Sequence, residues 1–147
     1  MPFVKVWIHF VWSTKNREPF LSDDVRAKVF QHIRQNAKEK GIFLDFVSGY
    51  TDHIHCLVSI GTDQKISEIV KLIKGESSHW INQNHLTHTK FRWQHEYFAV
   101  GVCESILEKT RDYIRNQEHH HQQRSYQDEF DQMVEKYGFQ RFDDDDS

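Results

Sequence analysis

Apolar and polar residues alternate along four short stretches of the chain, and in other stretches apolar residues recur at the three- and four-residue spacing of a helix. Residues 3–13 (FVKVWIHFVWS) predict a strand with Val4, Val6, Ile8, Phe10 and Trp12 on one face and Lys5, Trp7 and His9 on the other. A basic turn over 14–20 follows. Ser22, with Asp23 and Asp24 behind it, predicts the start of a helix over 22–40, striped by Val25, Val29, Ile33 and Ala37 and ended by Gly41. Residues 43–50 predict a second strand, and Gly49-Tyr50-Thr51-Asp52 turns it directly into a third over His53–Ile60. Ile66, Ile69, Val70, Ile73, Trp80 and Ile81 predict a helix over 65–84. A polar loop over 82–93 leads to a strand over 97–103, a helix over 104–121 and a short last helix over 125–137.

The first six elements, β-α-β-β-α-β, are those of the ferredoxin-like (RRM-like) fold: α+β, one antiparallel sheet with both helices on one face. The seventh element is a C-terminal helix carrying Tyr113. The second sheet face is expected to stay open unless that helix packs across it. Gly75 inside the second predicted helix costs about 1 kcal/mol relative to alanine, which predicts a close backbone approach there.

The third strand holds Asp52-His53-Ile54-His55-Cys56-Leu57-Val58. Ile54, Cys56, Val58 and Ile60 face the core, so His53, His55, Leu57 and Ser59 share the other face. Two imidazoles two residues apart stand roughly 6.5–7 Å apart along a strand, within reach of one metal ion. The same pair also suits the wet face of a half-exposed strand, and spacing alone does not separate the two readings.

Length and composition narrow the class. A chain of 147 residues suits one domain with a proper core, here residues 1–138, with an acidic tail over 139–147 expected to be disordered. The sequence has no apolar run long enough to span a membrane and no signal-peptide pattern, so a soluble cytoplasmic protein is expected. Cys56 and Cys103 lie in apolar runs without a C-x-x-C and are expected as reduced core residues. The formal net charge is −3, but Asp143–Asp146 supply four negative charges, and without them the balance is +1. Charge therefore permits a nucleic-acid partner without demanding one. Lys5, Trp7 and His9 in one row suit base stacking and phosphate contact. Lys15, Arg17, Lys71, Lys74, Ser77 and Ser78 are further candidates for phosphate; ordinary solvated surface is the other reading of all nine.

The helix over 104–121 carries Arg111-Asp112-Tyr113-Ile114-Arg115-Asn116-Gln117-Glu118-His119-His120. Tyr113 and Gln117 are four apart and share a helix face. A tyrosine hydroxyl can form a covalent enzyme intermediate. Two imidazoles and an amide oxygen can hold an ion that acts as a Lewis acid on a phosphoryl group. A free tyrosine titrates near about 10, so the nucleophile needs help from a metal or a base. His119–His121 point in different directions on a helix and are read as its solvated end.

These stretches resemble the small single-tyrosine HUH transposases of bacterial insertion sequences, the single-strand peel-and-paste family that includes the REP-associated tyrosine transposases. HUH stands for His-hydrophobic-His, here His53-Ile54-His55. The resemblance extends through Ile8-His9-Phe10-Val11-Trp12-Ser13-Thr14-Lys15, Ile73-Lys74-Gly75-Glu76-Ser77-Ser78 and Tyr113-Ile114-Arg115-Asn116-Gln117-Glu118-His119-His120, in order from about residue 3 to about residue 138. It implies Tyr113 as nucleophile, and His53, His55 and Gln117 as ligands of Mg²⁺ or Mn²⁺. It implies cleavage and rejoining of single-stranded DNA at hairpin-bearing element ends through a 5′-phosphotyrosine. It also implies a homodimer whose active sites are shared, the tyrosine helix of one subunit docking on the histidine strand of the other. The donor set carries a tension, because imidazoles favour Zn, Fe or Ni while Mg²⁺ prefers oxygen.

Two other functions remain in view. A host-adapted HUH endonuclease processing repeated palindromes or initiating replication would share the chemistry and differ in its DNA. A non-enzymatic single-strand binder would use the open sheet face, but Phe10 and Trp12 are assigned to the core face and the aromatic RNP motif is missing.

Overall fold

The computed structural model describes residues 1–123, 125–139 and 141–142, so the acidic run Asp143–Asp146 lies outside the described residues. Strands β1 (Val6–Ser13), β2 (Phe43–Gly49), β3 (His53–Ile60) and β4 (Phe98–Val102) form one sheet in the order β2-β3-β1-β4, with every pair antiparallel. Helices α1 (Asp23–Glu39) and α2 (Ile66–Gln83) follow β1 and β3. This is the ferredoxin-like topology expected from the alternation of apolar periods.

The main core lies between one sheet face and these two helices. Phe10 and Trp12 of β1, Ile54, Cys56 and Val58 of β3, Val29 and Ile33 of α1, and Ile69, Val70 and Ile73 of α2 are buried there. Gly41 ends α1 with φ +72°, a left-handed backbone that favours glycine. Ser22 stands at the N-cap of α1, but its hydroxyl makes no capping bond. Gly75 differs from expectation: a Cβ there would meet nothing within 4 Å, so no backbone approaches it. Cys103 differs too, being exposed at the end of β4 while Cys56 is buried.

The second sheet face is covered, contrary to the expectation that it stays open. The histidines on it alternate with Trp7, Val11 and Leu57, and an apolar surface of that size is costly to leave in water. Helix α3 (Leu107–Arg115) lays Leu107 and Ile114 on Trp7 and Leu57. Fully burying side chains such as Leu57 and Ile114 is worth about 1.5–3 kcal/mol each. Helix α5 (Tyr126–Tyr137) sets Tyr126 and Met133 against Val11, with Phe98 and Phe130 beside them.

A single 3-10 turn over Glu104–Ile106 reverses the chain between β4 and α3. Arg111 Nε then donates to Asp45 Oδ2 of β2 at 2.7 Å and ties α3 across the sheet. The predicted single helix over 104–121 is broken at Asn116, after which α4 (Gln117–Gln123) starts. Gln117 Nε2 donates to the Tyr113 carbonyl at 3.2 Å, an acceptor that an unbroken helix keeps for its own N–H. Ser125 caps α5 in a full capping box with Asp128, and Gly138 closes the helix in the left-handed conformation.

Candidate active site

The turn before β3 sets the histidines. A Cβ on Gly49 would fall 2.2 Å from the His53 carbonyl oxygen, so only glycine allows this hairpin and the place it gives His53. His53 and His55 are both fully buried on the covered face. Asp52 Oδ1 lies 2.9 Å from His53 Nδ1, which fixes the proton on Nδ1 and turns the Nε2 lone pair inward in the neutral ring. On the neighbouring strand, His9 Nε2 lies 2.8 Å from His55 Nδ1.

Helices α3, α4 and α5 bring the remaining groups to the two Nε2 atoms. Gln117 is fully buried, and its Oε1 is 3.1 Å from His53 Nε2. Glu129 of α5, also buried, places Oε1 3.0 Å from His55 Nε2 and Oε2 3.7 Å from His53 Nε2. Tyr113 Oη donates to Glu129 Oε1 at 2.6 Å, and its ring meets that of His55 edge-on, centroids 5.7 Å apart. His121 Nε2 reaches Gln117 Oε1 at 3.0 Å and hydrogen-bonds Glu129 as well.

His55 Nε2 carries the test of metal fit. It is buried and has no hydrogen-bond partner, because the nearby Glu129 oxygen lies off the direction a hydrogen bond needs. If protonated, it is an orphaned donor; if not, its lone pair faces a carboxylate. A cation among these atoms relieves either conflict. Cis ligand atoms on an ion about 2.1 Å away stand about 3 Å apart, the spacing seen here between nitrogen and oxygen donors. His53, His55 and Glu129 also form the one His/Cys/Asp/Glu group with metal-ligating spacing among the described residues. The residues present fit a divalent cation.

Burial lowers the His55 pKa, and the Glu129 carboxylate only partly offsets it. Burial drives His9 down as well, to about 3, helped by the neighbouring His55 ring. Both imidazoles are therefore neutral, the state in which a ring nitrogen has a lone pair to offer a cation. Burial alone would raise the Glu129 carboxyl, but the hydrogen bond from His121 and the close approach of the His55 and His53 rings outweigh it and hold the group ionised.

The nine nucleic-acid candidates scatter. Ser77 is fully buried, donating to the Ile73 carbonyl and accepting from Trp93 Nε1 at 2.9 Å, so it is a core residue and presents nothing to a phosphate. Trp7 is also buried, with Nε1 donating to Glu104 at 3.0 Å, and His9 supports His55 instead of standing free to stack. Lys5 pairs with Glu104 at the surface. Lys74 Nζ donates to the Gln94 and His95 carbonyls, and Ser78 to that of Phe91. Lys15 and Lys71 are exposed. Arg17 lies over the Tyr126 and Phe130 rings, 5.3 Å from each, at a cleft of about 350 Å³ also lined by Trp12, Gln94 and Tyr97. Tyr126 stacks its ring on His53, centroids 4.5 Å apart, so cleft and histidines share a wall.

Two further residues at the site, His121 and Glu129, belong to none of the sequence motifs above. His121 is not solvated: its side chain is only 2% exposed. Its signal was the four-residue spacing from Gln117. That of Glu129 was an acidic residue in the apolar stripe Tyr126, Phe130 and Met133. In the single chain the tyrosine helix docks on its own histidines, whereas the resemblance implies a site shared between two subunits. The short turn at Glu104–Ile106 and the Arg111–Asp45 pair hold it there.

The pattern of the family described as "Transposase IS200 like" matches residues 3–117. The ISDra2 transposase TnpA of Deinococcus radiodurans is 25% identical over 114 residues, covering 74% of this chain and 81% of its own length. A crystal structure of a protein assigned as a transposase from the same organism superposes with a TM-score of 0.61 at 26% identity, over 79% of this chain and 93% of that one. A REP-associated tyrosine transposase bound to a REP hairpin shares the fold, with a TM-score of 0.58 at 16% identity over 79% of this chain and 68% of that one. With the pattern spanning most of the sequence, and a tyrosine poised over an HUH pair, the chain belongs to the IS200-like transposases of the single-tyrosine type.

Proposed function

We propose that this transposase cleaves and rejoins single-stranded DNA at hairpin-bearing element ends, with Tyr113 as nucleophile and a Mg²⁺ or Mn²⁺ ion held by His53, His55 and Gln117. The observation that carries the reading is the Tyr113 hydroxyl, held by a 2.6 Å hydrogen bond to a carboxylate that itself lies 3.0 Å from His55 Nε2. A bound ion would act as a Lewis acid on the scissile phosphate. Tyr113 Oη attacks phosphorus and the P–O3′ bond breaks, leaving a 5′-phosphotyrosine and a free 3′-OH. The proton that the tyrosine loses is balanced by the one that the 3′ oxygen gains. Asp52 and His9 orient the two rings, and the covering helices exclude water, which strengthens each electrostatic contact in the site.

The cleft beside Tyr126, with the Arg17 cation over two aromatic rings, has the groups that a single strand uses for stacking and charge. Lys15 and Lys71 remain proposed phosphate contacts, and a homodimer remains the expected assembly. The test is incubation with labelled single-stranded hairpins and Mg²⁺ or Mn²⁺, scored for an SDS-resistant adduct that EDTA prevents. Hairpins from the flanks of the gene form one arm and repeated palindromes the other, so the test also separates an element's transposase from a host-adapted endonuclease. No adduct with either DNA overturns the reading.

A further inference from the structure

We infer that Glu129 of α5 is a fourth protein ligand of the metal, completing the set to two imidazole nitrogens, one amide oxygen and one carboxylate oxygen. The inference rests on the metal reading above and extends it to a residue outside the histidine strand and the tyrosine helix.

Three observations support it. The first is position. Glu129 Oε1 stands 3.0 Å from His55 Nε2 and Oε2 3.7 Å from His53 Nε2, and neither contact to these two rings is a hydrogen bond.

The second is charge. The two neutral rings and the amide would bring a dication into a buried site with no compensating charge among its ligands. Glu129 is 1% exposed, and its ion-pair partners among the described residues are histidines, with no Lys or Arg. A buried carboxylate and a buried cation, each costly alone, offset one another.

The third is support. A ligating carboxylate is itself held by hydrogen bonds. Tyr113 Oη donates to Oε1, and His121 hydrogen-bonds Oε2.

The inference resolves a chemical tension. Two imidazoles alone favour borderline metals such as Zn, whereas adding a carboxylate to the Gln117 amide makes half of the protein donors hard oxygens and suits Mn²⁺ or Mg²⁺. Four protein donors still leave positions for water and a phosphate oxygen on an ion that takes six ligands.

Mn²⁺ binding to the full chain, followed by electron paramagnetic resonance, tests the idea without reference to cleavage. E129Q should bind Mn²⁺ tenfold or more weakly than wild type, with H55A as the parallel control. Wild-type protein grown with ¹³C-carboxyl glutamate needs no substitution: electron-nuclear double resonance on its Mn²⁺ complex should detect a coupled carboxyl carbon. Wild-type affinity in E129Q, or no coupled carbon in the labelled protein, overturns the Glu129 ligand. If H55A also binds as wild type does, the histidine site itself fails, a different result.

Discussion

His9 Nε2 sits 2.8 Å from His55 Nδ1, on strands whose ladder pairs Val11 with His55, and this contact leaves Nε2 as the nitrogen that faces Glu129. With His55 Nδ1–H donating to His9, the inward Nε2 keeps its lone pair. His9→Phe keeps the ring-sized volume and removes the acceptor. It should weaken Mn²⁺ binding about 10- to 100-fold with an unchanged circular dichroism spectrum. Unchanged affinity would mean that His55 is oriented by something else.

The same ring makes stability depend on pH. Burial lowers the His9 pKa from 6.5 to about 3, so the unfolded chain binds a proton that the folded chain refuses. The stability this supplies is complete above about 6.5 and is lost as pH falls toward 3, at up to about 1.4 kcal/mol per pH unit. Urea melts of the wild type in EDTA should show this slope, and His9→Phe should flatten it. Equal slopes in both proteins would remove His9 as the source.

Tyr113→Phe should abolish the covalent adduct and keep hairpin binding, because only the hydroxyl is lost. It should also lower metal-free stability by about 1–3 kcal/mol, since the buried Glu129 carboxylate loses a donor at 2.6 Å. A variant that still forms the adduct would shift the nucleophile to Tyr97 or Tyr126.

Ser77→Ala separates core from interface. Trp93 Nε1 would lose its acceptor at 2.9 Å inside the core, costing about 1–3 kcal/mol in a denaturant melt. Hairpin affinity should stay at the wild-type value. A selective loss of DNA binding at full stability would return Ser77 to the list of phosphate contacts.

The docking of α3 on its own sheet predicts the outcome of mixing inactive Tyr113→Phe with inactive His55→Ala. Mixed dimers should stay dead, because neither chain carries both a tyrosine and an intact histidine pair. Recovery of the adduct on the His55→Ala chain would mean that the tyrosine helix crosses to a partner in solution.

The sheet was legible in the sequence because its signal is local. Alternation over His53–Ile60 and the helical stripe through Ile69, Val70 and Ile73 depend on residues a few positions apart, and both elements formed within a residue or so of their expected bounds. His53, His55, Tyr113 and Gln117 stood out because each lies in a short run that matches the family's motifs; spacing alone left their roles open, and the structure brings the four together. What only the tertiary structure decided was the covering of the second face. Whether α3 and α5 fold back on it depends on the turn at Glu104, the Arg111–Asp45 pair and the fit of Leu107, Ile114 and Tyr126, none of which is a local pattern. That packing buried Trp7, turned His9 into a support for His55, and carried Glu129 from an ordinary helical position to the two histidines. A carboxylate far along the chain acquires such a role only through the contact that brings it there, and the same contact removes the water that would otherwise keep it an unremarkable surface charge.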